Sequence, residues 1–220
     1  CKMTIWDDIS FSEKDLPVFV KVTSARITAW QGIPDITVDS GDQITMLDEP
    51  AWEGEIDPNS HFVEAPLDEL AAGGSRVGIQ TKGIIVSIKE DSGMINRCPE
   101  CRRGMREGSC YEHGEMEGVE DIRLRLIMDD HGTTSSLLVN KEVALKLAEM
   151  SEADFKKSAI EGHDGLIMDL RSKLLTNFVE VKGRTIIDDQ GMMIIATDVE
   201  LPSRDPQLRA TELRAAWGWN

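Results

Sequence analysis

The sequence predicts a mostly β protein: a five-stranded Greek-key barrel with an inserted metal knuckle, preceded by the C-terminal half of a second such barrel. Three observations carry this. Short segments in both halves alternate apolar and polar residues with period two, the mark of half-buried strands. A helical stretch interrupts the strands of the second half. Three of the four cysteines fall with a histidine inside the stretch CPECRRGMREGSCYEH, residues 98–113.

The first block is residues 1–48. KMTIWDD sets Met3 and Ile5 on one face and Lys2, Thr4 and Trp6 on the other. PVFVKVTS repeats the device, with Val18, Val20 and Val22 inward and Phe19, Lys21 and Thr23 outward. RITAW continues it, with Ile27 and Ala29 inward and Arg26, Thr28 and Trp30 outward. A Gly-Ile-Pro-Asp turn leads to ITV and a last strand near ITML. Trp6 and Trp30 thus occupy the polar phase, where a core residue is not placed; they are either exposed platforms or plugs at a barrel end.

Residues 49–75 read as an acidic linker. No Lys or Arg occurs between Arg26 and Arg76, while Glu49, Glu53, Glu55, Asp57, Glu64, Asp68 and Glu69 crowd together among Pro50, Pro58, Pro66 and Gly73-Gly74. Such a stretch is a solvated spacer, or it repels stray nucleic acid or docks basic partners.

Residues 76–202 form the second block. GIIVSI is a strand, the cysteine stretch is an insertion, and IRLRLIM returns as a strand with Arg123 and Arg125 on its outer face. SSLLVN follows, with Asn140 as cap of a helix over NKEVALKLAEM and Ser151 as cap of the next. LIMDLRSKLL is a third helical piece. FVEVKGRTII, carrying Lys182 and Arg184, pairs with MMIIATDVE across the turn at Asp188–Gly191. Strand, long insertion, two strands, helices, two strands is the order of an OB barrel with its helix between the third and fourth strands. "VFVKVTSARITAWQGIPDITV" and "FVEVKGRTIIDDQGMMIIATDVE" repeat one pattern, so residues 1–48 read as the third to fifth strands of an OB fold whose first two lie upstream. The tail, residues 203–220, reads as a short helix with apolar Leu208, Leu213 and Trp217.

The cysteine stretch has the form C-x2-C, eight residues, C-x2-H. Cys98, Cys101, Cys110 and His113 supply the closed Cys3His set of structural zinc, with Gly104 and Gly108 for the tight turns. A disulfide is the competing reading, and the absence of a leader and the clustering of the cysteines favour a reducing compartment instead. Four protein ligands leave no open position for catalysis. Cys1 has no evident partner. Beginning with Cys1 rather than Met, the sequence reads as part of a longer chain.

Composition bounds the rest. The chain has 220 residues, 40% of them hydrophobic, and a formal charge of -16. That is enough for a packed core in one large or two small domains, and no apolar run approaches the ~20 residues of a membrane span. The charge excludes a generally nucleic-acid-attracting surface while leaving room for local basic patches. No nucleophile elbow, phosphate loop or open-site ligand set appears, which makes an enzyme the weakest reading. His61, His131 and His163 are isolated.

These residues together resemble the archaeal large-subunit type of replication protein A. "TIWDD", followed by "VFVKVTSARITAWQG", resembles the second half of a DNA-binding OB domain of that family, and the cysteine cluster after the first strand of the second block resembles its zinc-bearing C-terminal OB domain. His113 stands where eukaryotic relatives carry Cys, and "LIMDD" places Met128 near the position matching Trp6. The resemblance implies single-stranded DNA binding and protection in replication, repair and recombination, by a non-enzymatic, cytoplasmic, nucleoid-associated protein. It maps the family's stacking aromatics onto Trp6 and Trp30. Lys2, Lys21, Arg26, Arg123, Arg125, Lys182 and Arg184 supply groove charge, or are ordinary solvated sheet surface. Partners implied are single-stranded DNA and other replication protein A subunits or repair proteins. The alternative is an assembly module whose zinc domain and tail hold partner subunits.

Overall fold

The computed structural model describes residues 2–12, 16–30, 32–54, 57, 61–202 and 206–218. Cys1 and the side chain of Lys2 lie outside the described part.

The first block contains β1 (Lys2–Ile5), β2 (Phe19–Val22), β3 (Arg26–Trp30), β4 (Ile33–Val38) and β5 (Ile44–Leu47). β4 lies between β1, to which it is parallel, and β3, to which it is antiparallel, while β2 and β5 form a separate antiparallel pair. The alternation expected for residues 18–23 is present, with Val18, Val20 and Val22 half-buried and Phe19, Lys21 and Thr23 exposed. The expectation for β3 fails in one respect. Ile27 and Ala29 were expected inward, but Ile27 is 70% exposed and Ala29 is exposed as well. β3 pairs only with β4, and an edge strand that no second layer covers exposes both its faces.

The second block opens with β6 (Val63–Glu64) and α1 (Leu67–Ala72), then β7 (Arg76–Ile88), β8 (Gly93–Arg97), β9 (Ser109–Cys110), β10 (Gly114–Glu115), β11 (Val119–Asp129) and β12 (Thr134–Val139). Three helices follow, α2 (Lys141–Ala148), α3 (Glu152–Glu161) and α4 (His163–Leu174), then β13 (Phe178–Asp188), β14 (Gly191–Glu200) and α5 (Pro206–Ala216). Five strands close on themselves in the order β7-β13-β14-β12-β11-β7. All pairs are antiparallel except β12 with β14. This is the five-stranded Greek-key barrel expected, with its helices between the third and fourth barrel strands.

Alternation builds the core. Along β11, Ile122, Leu124, Leu126 and Met128 are fully buried while Arg123, Arg125 and Ile127 face outward. Phe155, Leu166, Ile167, Leu170 and Leu174 bring the helices into the same core. The helix starts are those expected: Asn140 Oδ1 accepts from Val143 N–H at 3.0 Å, and Ser151 Oγ from Asp154 N–H at 3.1 Å. The pairing of β1, β4 and β3 reproduces that of β12, β14 and β13, so the internal repeat in the sequence is also a repeat of strand connection.

Two expectations are corrected here. Met128 was matched to Trp6, but it lies on the second barrel strand with its side chain fully buried, whereas the strand equivalent to β1 is β12. Part of the acidic linker is structural: β6 pairs with β7, and α1 sinks Leu67 and Leu70 completely into the barrel core. Spaced three apart on a helix, these leucines share a face, and the neighbouring acids point to solvent. Asp130 holds the start of α1, its Oδ2 accepting from Leu67 N–H at 2.7 Å.

Replacing Leu70 with Ala should cost about 2–5 kcal/mol in denaturant melts, as for other fully buried leucines; a change near zero would mean that α1 is a detached part of the linker. Asp130 supplies a pH dependence. Burial opposes its charge, but N–H donors from Leu67, Thr133 and Gly132 outweigh it, so its carboxyl sits below the ordinary 3.8. A depressed folded value means stabilisation that is complete above the unfolded value and is lost as pH falls through the folded one. Stability of Asp130→Asn should therefore fall less than wild type between about pH 4 and pH 2, measured by urea midpoints across that range.

Candidate metal centre and nucleic-acid interface

The knuckle is built from two tight turns. β8 delivers the chain to Cys98, and Cys98 N–H donates to Arg103 O at 2.9 Å while Arg102 N–H donates back to Cys98 O at 2.9 Å. This loop presents the sulfurs of Cys98 and Cys101. The β9–β10 hairpin, with Gly114 opposite Cys110, presents Cys110 and His113. Gly108 and Gly114, at φ of 77° and 75°, take left-handed conformations that suit glycine.

The four donor atoms lie within 4.8 Å of one another. Cys101 Sγ is 3.6 Å from Cys110 Sγ, and His113 Nδ1 is 3.4 Å from Cys98 Sγ and 3.7 Å from Cys110 Sγ. A tetrahedral ion held at about 2.3 Å from sulfur and about 2.0 Å from nitrogen spaces its ligands about 3.6–3.8 Å apart. The residues therefore lie close enough to hold a metal ion, and the spacing fits a closed tetrahedron. The sulfurs of Cys98 and Cys110 are buried, while His113 is exposed. N–H groups of Glu112 and His113 bring the Cys110 thiol down to about 6. Hydrogen bonding to Cys110 and Cys98 pushes the His113 imidazole upward. For Cys101 the Arg103 N–H works downward, but burial and the neighbouring sulfurs carry it above its ordinary value. The pocket gathers thiolate character that a divalent cation would neutralise.

The first sheet presents a different site. Its register puts Thr4, Arg26, Thr28, Trp30 and Thr37 on one face, with Trp6 by continuation, and Met3, Ile5, Ile27, Ala29, Ile36 and Val38 on the other. Trp6 is 74% exposed and Trp30 is 72% exposed, so neither plugs a core. Trp6 N–H donates to Val38 O and Trp30 pairs with Ile33, so the two rings stand at opposite ends of β4. At ~3.3 Å per residue along β4 and ~4.8 Å between neighbouring strands, their backbones are roughly 22 Å apart. Arg26 on the same face pairs with Asp39 at 2.9 Å, and Lys21 is exposed on β2.

The barrel cations divide into two groups. Arg123 and Arg125 share one oxygen of Asp91, at 3.3 and 2.7 Å. Lys182 and Arg184 lie apart from them on β13. Lys182 sits over the Phe62 ring at 5.7 Å and lines a small pocket with Glu180, Asp198 and Glu200, while Arg184 buries one terminal nitrogen. Of the knuckle arginines, Arg97 pairs with Asp121 and Arg103 with Glu112. Tyr111, at the knuckle tip, is 98% exposed, and Phe178 is half-buried. Sequence reasoning missed Phe62 beneath Lys182 and Met116, whose Sδ lies 3.4 Å from Cys98 Sγ. Neither has a spacing signature, since tertiary packing alone brings them in.

No protein-family model and no curated protein matches the sequence. Among solved structures, a replication protein A heterotrimer bound to ssDNA matches 96% of this chain at TM-score 0.53 and 12% identity. The chain spans 57% of the length of that match. Yeast replication protein A bound to ssDNA matches 62% of the chain, covering 85% of its own, at TM-score 0.42 and 15% identity. The second OB-fold domain of replication protein A from Methanococcus maripaludis matches 65% of the chain, covering 98% of its own, at TM-score 0.36 and 10% identity. Among the described residues no helix is long and apolar enough to cross a membrane. Strand order, the parallel β12–β14 pair and the first of these likenesses agree: the chain has the OB fold.

Proposed function

We propose that this chain binds single-stranded DNA with little sequence preference, as part of a non-enzymatic replication protein A-like factor serving replication, repair and recombination. The observation that carries it is the pair of exposed tryptophans on the polar face of the first sheet. Ring faces stack on any base, each contributing ~1–3 kcal/mol, while nearby cations hold the phosphates. Trp6 and Trp30 are the stacking platforms; Arg26 shares their face, and Lys2 and Lys21 add positive charge from the same block. Arg123 and Arg125 extend the track on the barrel. Lys182 and Arg184 contribute less, given the carboxylates around the first and the buried nitrogen of the second. In a chain of charge -16 only such local grooves attract a strand. Residues 1–48 act as the third to fifth strands of a second OB unit, and residues 49–75 as the linker, whose β6 and α1 join the barrel. The likeness to a heterotrimer bound to ssDNA supports this reading.

The knuckle holds one structural zinc ion through Cys98, Cys101, Cys110 and His113. All four positions are protein-filled, so zinc orders residues 98–113 and does no chemistry on a substrate. A second reading, subunit assembly, is favoured by Leu208 on α5, 53% exposed, and Trp217 just beyond it, 62% exposed; exposed apolar side chains of this kind fit a partner surface.

Trp6→Ala and Trp30→Ala should each weaken oligo-dT binding by about 1–3 kcal/mol with little change in melting temperature. Lys21→Ala should flatten the slope of log affinity against log salt by roughly 0.7. Unchanged affinity in both tryptophan variants would favour the assembly reading. Elemental analysis of protein purified without chelator should give one zinc per chain, and chelation should first increase hydrogen exchange in residues 98–113; protein free of zinc and folded in that segment would contradict the metal assignment.

A further inference from the structure

A cleft of about 990 Å³ opens between the knuckle, β8, the start of β11 and helices α3 and α4. Its cations come from three separate elements: Arg106 from the knuckle, Arg123 and Arg125 from β11, and Lys156 from α3. Against these four stand Asp91, Glu120 and, on Lys156, Glu152, a local cationic excess in a chain of charge -16. The excess is sharpest at Arg123. Asp91 is divided between it and Arg125, and the Arg123 Nε, fully buried, has no hydrogen-bond acceptor among the described residues. A buried donor left without an acceptor is costly, and more so when charged. Burial, together with Arg125, Arg97 and Arg106, holds the Arg123 guanidinium below its ordinary value despite Asp91. Arg106 is exposed and forms no ion pair among the described residues. Lys156 lines the cleft and is paired with Glu120 and Glu152 at 3.2 Å each. His163, also lining the cleft, is engaged by Glu90 O at 2.7 Å. Ile160, at the rim, is 87% exposed.

We infer that this cleft is a phosphate-binding subsite, in which Arg106 and Arg123 grip a phosphodiester of the bound strand and Lys156 and Arg125 complete the charge. This rests on the single-strand reading and adds to it a contact supplied by the knuckle and α3, away from the tryptophan face. Guanidinium forks match phosphate oxygens in geometry and charge, and an acceptor oxygen from a ligand satisfies the Arg123 Nε. The metal then supports nucleic-acid affinity indirectly, because it orders the loop that presents Arg106.

The test uses the whole chain and two probes, oligo-dT and inorganic pyrophosphate. Ile160→Glu puts a carboxylate at the rim from a side chain that is 87% exposed, and Arg106→Ala removes an exposed cation, so neither lies in the core. Each should weaken oligo-dT binding by roughly 3–10-fold at low salt, and Arg106→Ala should lower the salt slope by about 0.7. Pyrophosphate should shift the Arg123 Nε–H resonance in wild type and do so less in both variants. Wild-type affinity and slope in both variants, with no pyrophosphate shift, would overturn the cleft while leaving the tryptophan site standing. A pyrophosphate shift without oligo-dT binding would refute the single-strand reading and make the cleft a site for soluble polyphosphate. Neither probe binding would refute both.

Discussion

Everything in the barrel depends on β7 serving two sheets. Its first part pairs with β13 as far as Ile84, and its last part pairs with β11 from Ile84 onward, so one strand of 13 residues turns the corner that closes the barrel. The turn needs backbones closer together than side chains allow. A Cβ on Gly83 would lie 2.7 Å from Asp129 O, and one on Gly183 would lie 2.2 Å from Ile195 O. At Gly183 the registers of β13 against both β7 and β14 shift, the mark of a bulge that adds twist where closure demands it. Once the barrel closes, one end is sealed by the helices, α1 covers exposed core, and the ladder of β11 continues onto β8, from which the knuckle springs.

That geometry separates the tasks. Packing sits inside, in the even-numbered positions of β11, and charge sits outside, at Arg123 and Arg125. The knuckle adds no residue to the barrel's apolar cluster, and its two turns meet at the four donor atoms of Cys98, Cys101, Cys110 and His113. The first sheet has the same strand connection as β12, β14 and β13 but is open, leaving its two tryptophans and Ile27 to solvent while Val38 is buried. With net charge -16, the surface taken as a whole disfavours DNA, so attraction has to come from local cation clusters.

Much of this was legible in the sequence, for identifiable reasons. The cysteine spacing is a local rule, and the four donors converge as spacing implied. Strand phase is equally local, and it placed Trp6 and Trp30 on the polar face correctly. What escaped depends on long-range packing. Leu67 and Leu70 look like sparse apolar residues in an acidic run until the barrel end that receives them exists. Ile27 had the phase of an inward residue, but phase states which face a side chain takes, and not whether that face is covered. Met128 was matched by similarity of "LIMDD" to "TIWDD", although its strand holds a different place in the barrel. The cationic cleft joins residues 50 apart in sequence, from Arg106 to Lys156, and no linear pattern announces it.

The central claim is that exposed rings and local cations bind single strands. It is tested most directly by titrating the whole chain with oligo-dT and with duplex DNA of equal length, following tryptophan fluorescence at two salt concentrations. The account predicts quenching and saturable binding by the single strand, weakening steeply as salt rises, and far weaker binding by the duplex. Equal affinity for the two, or no quenching at saturating oligo-dT, would contradict it.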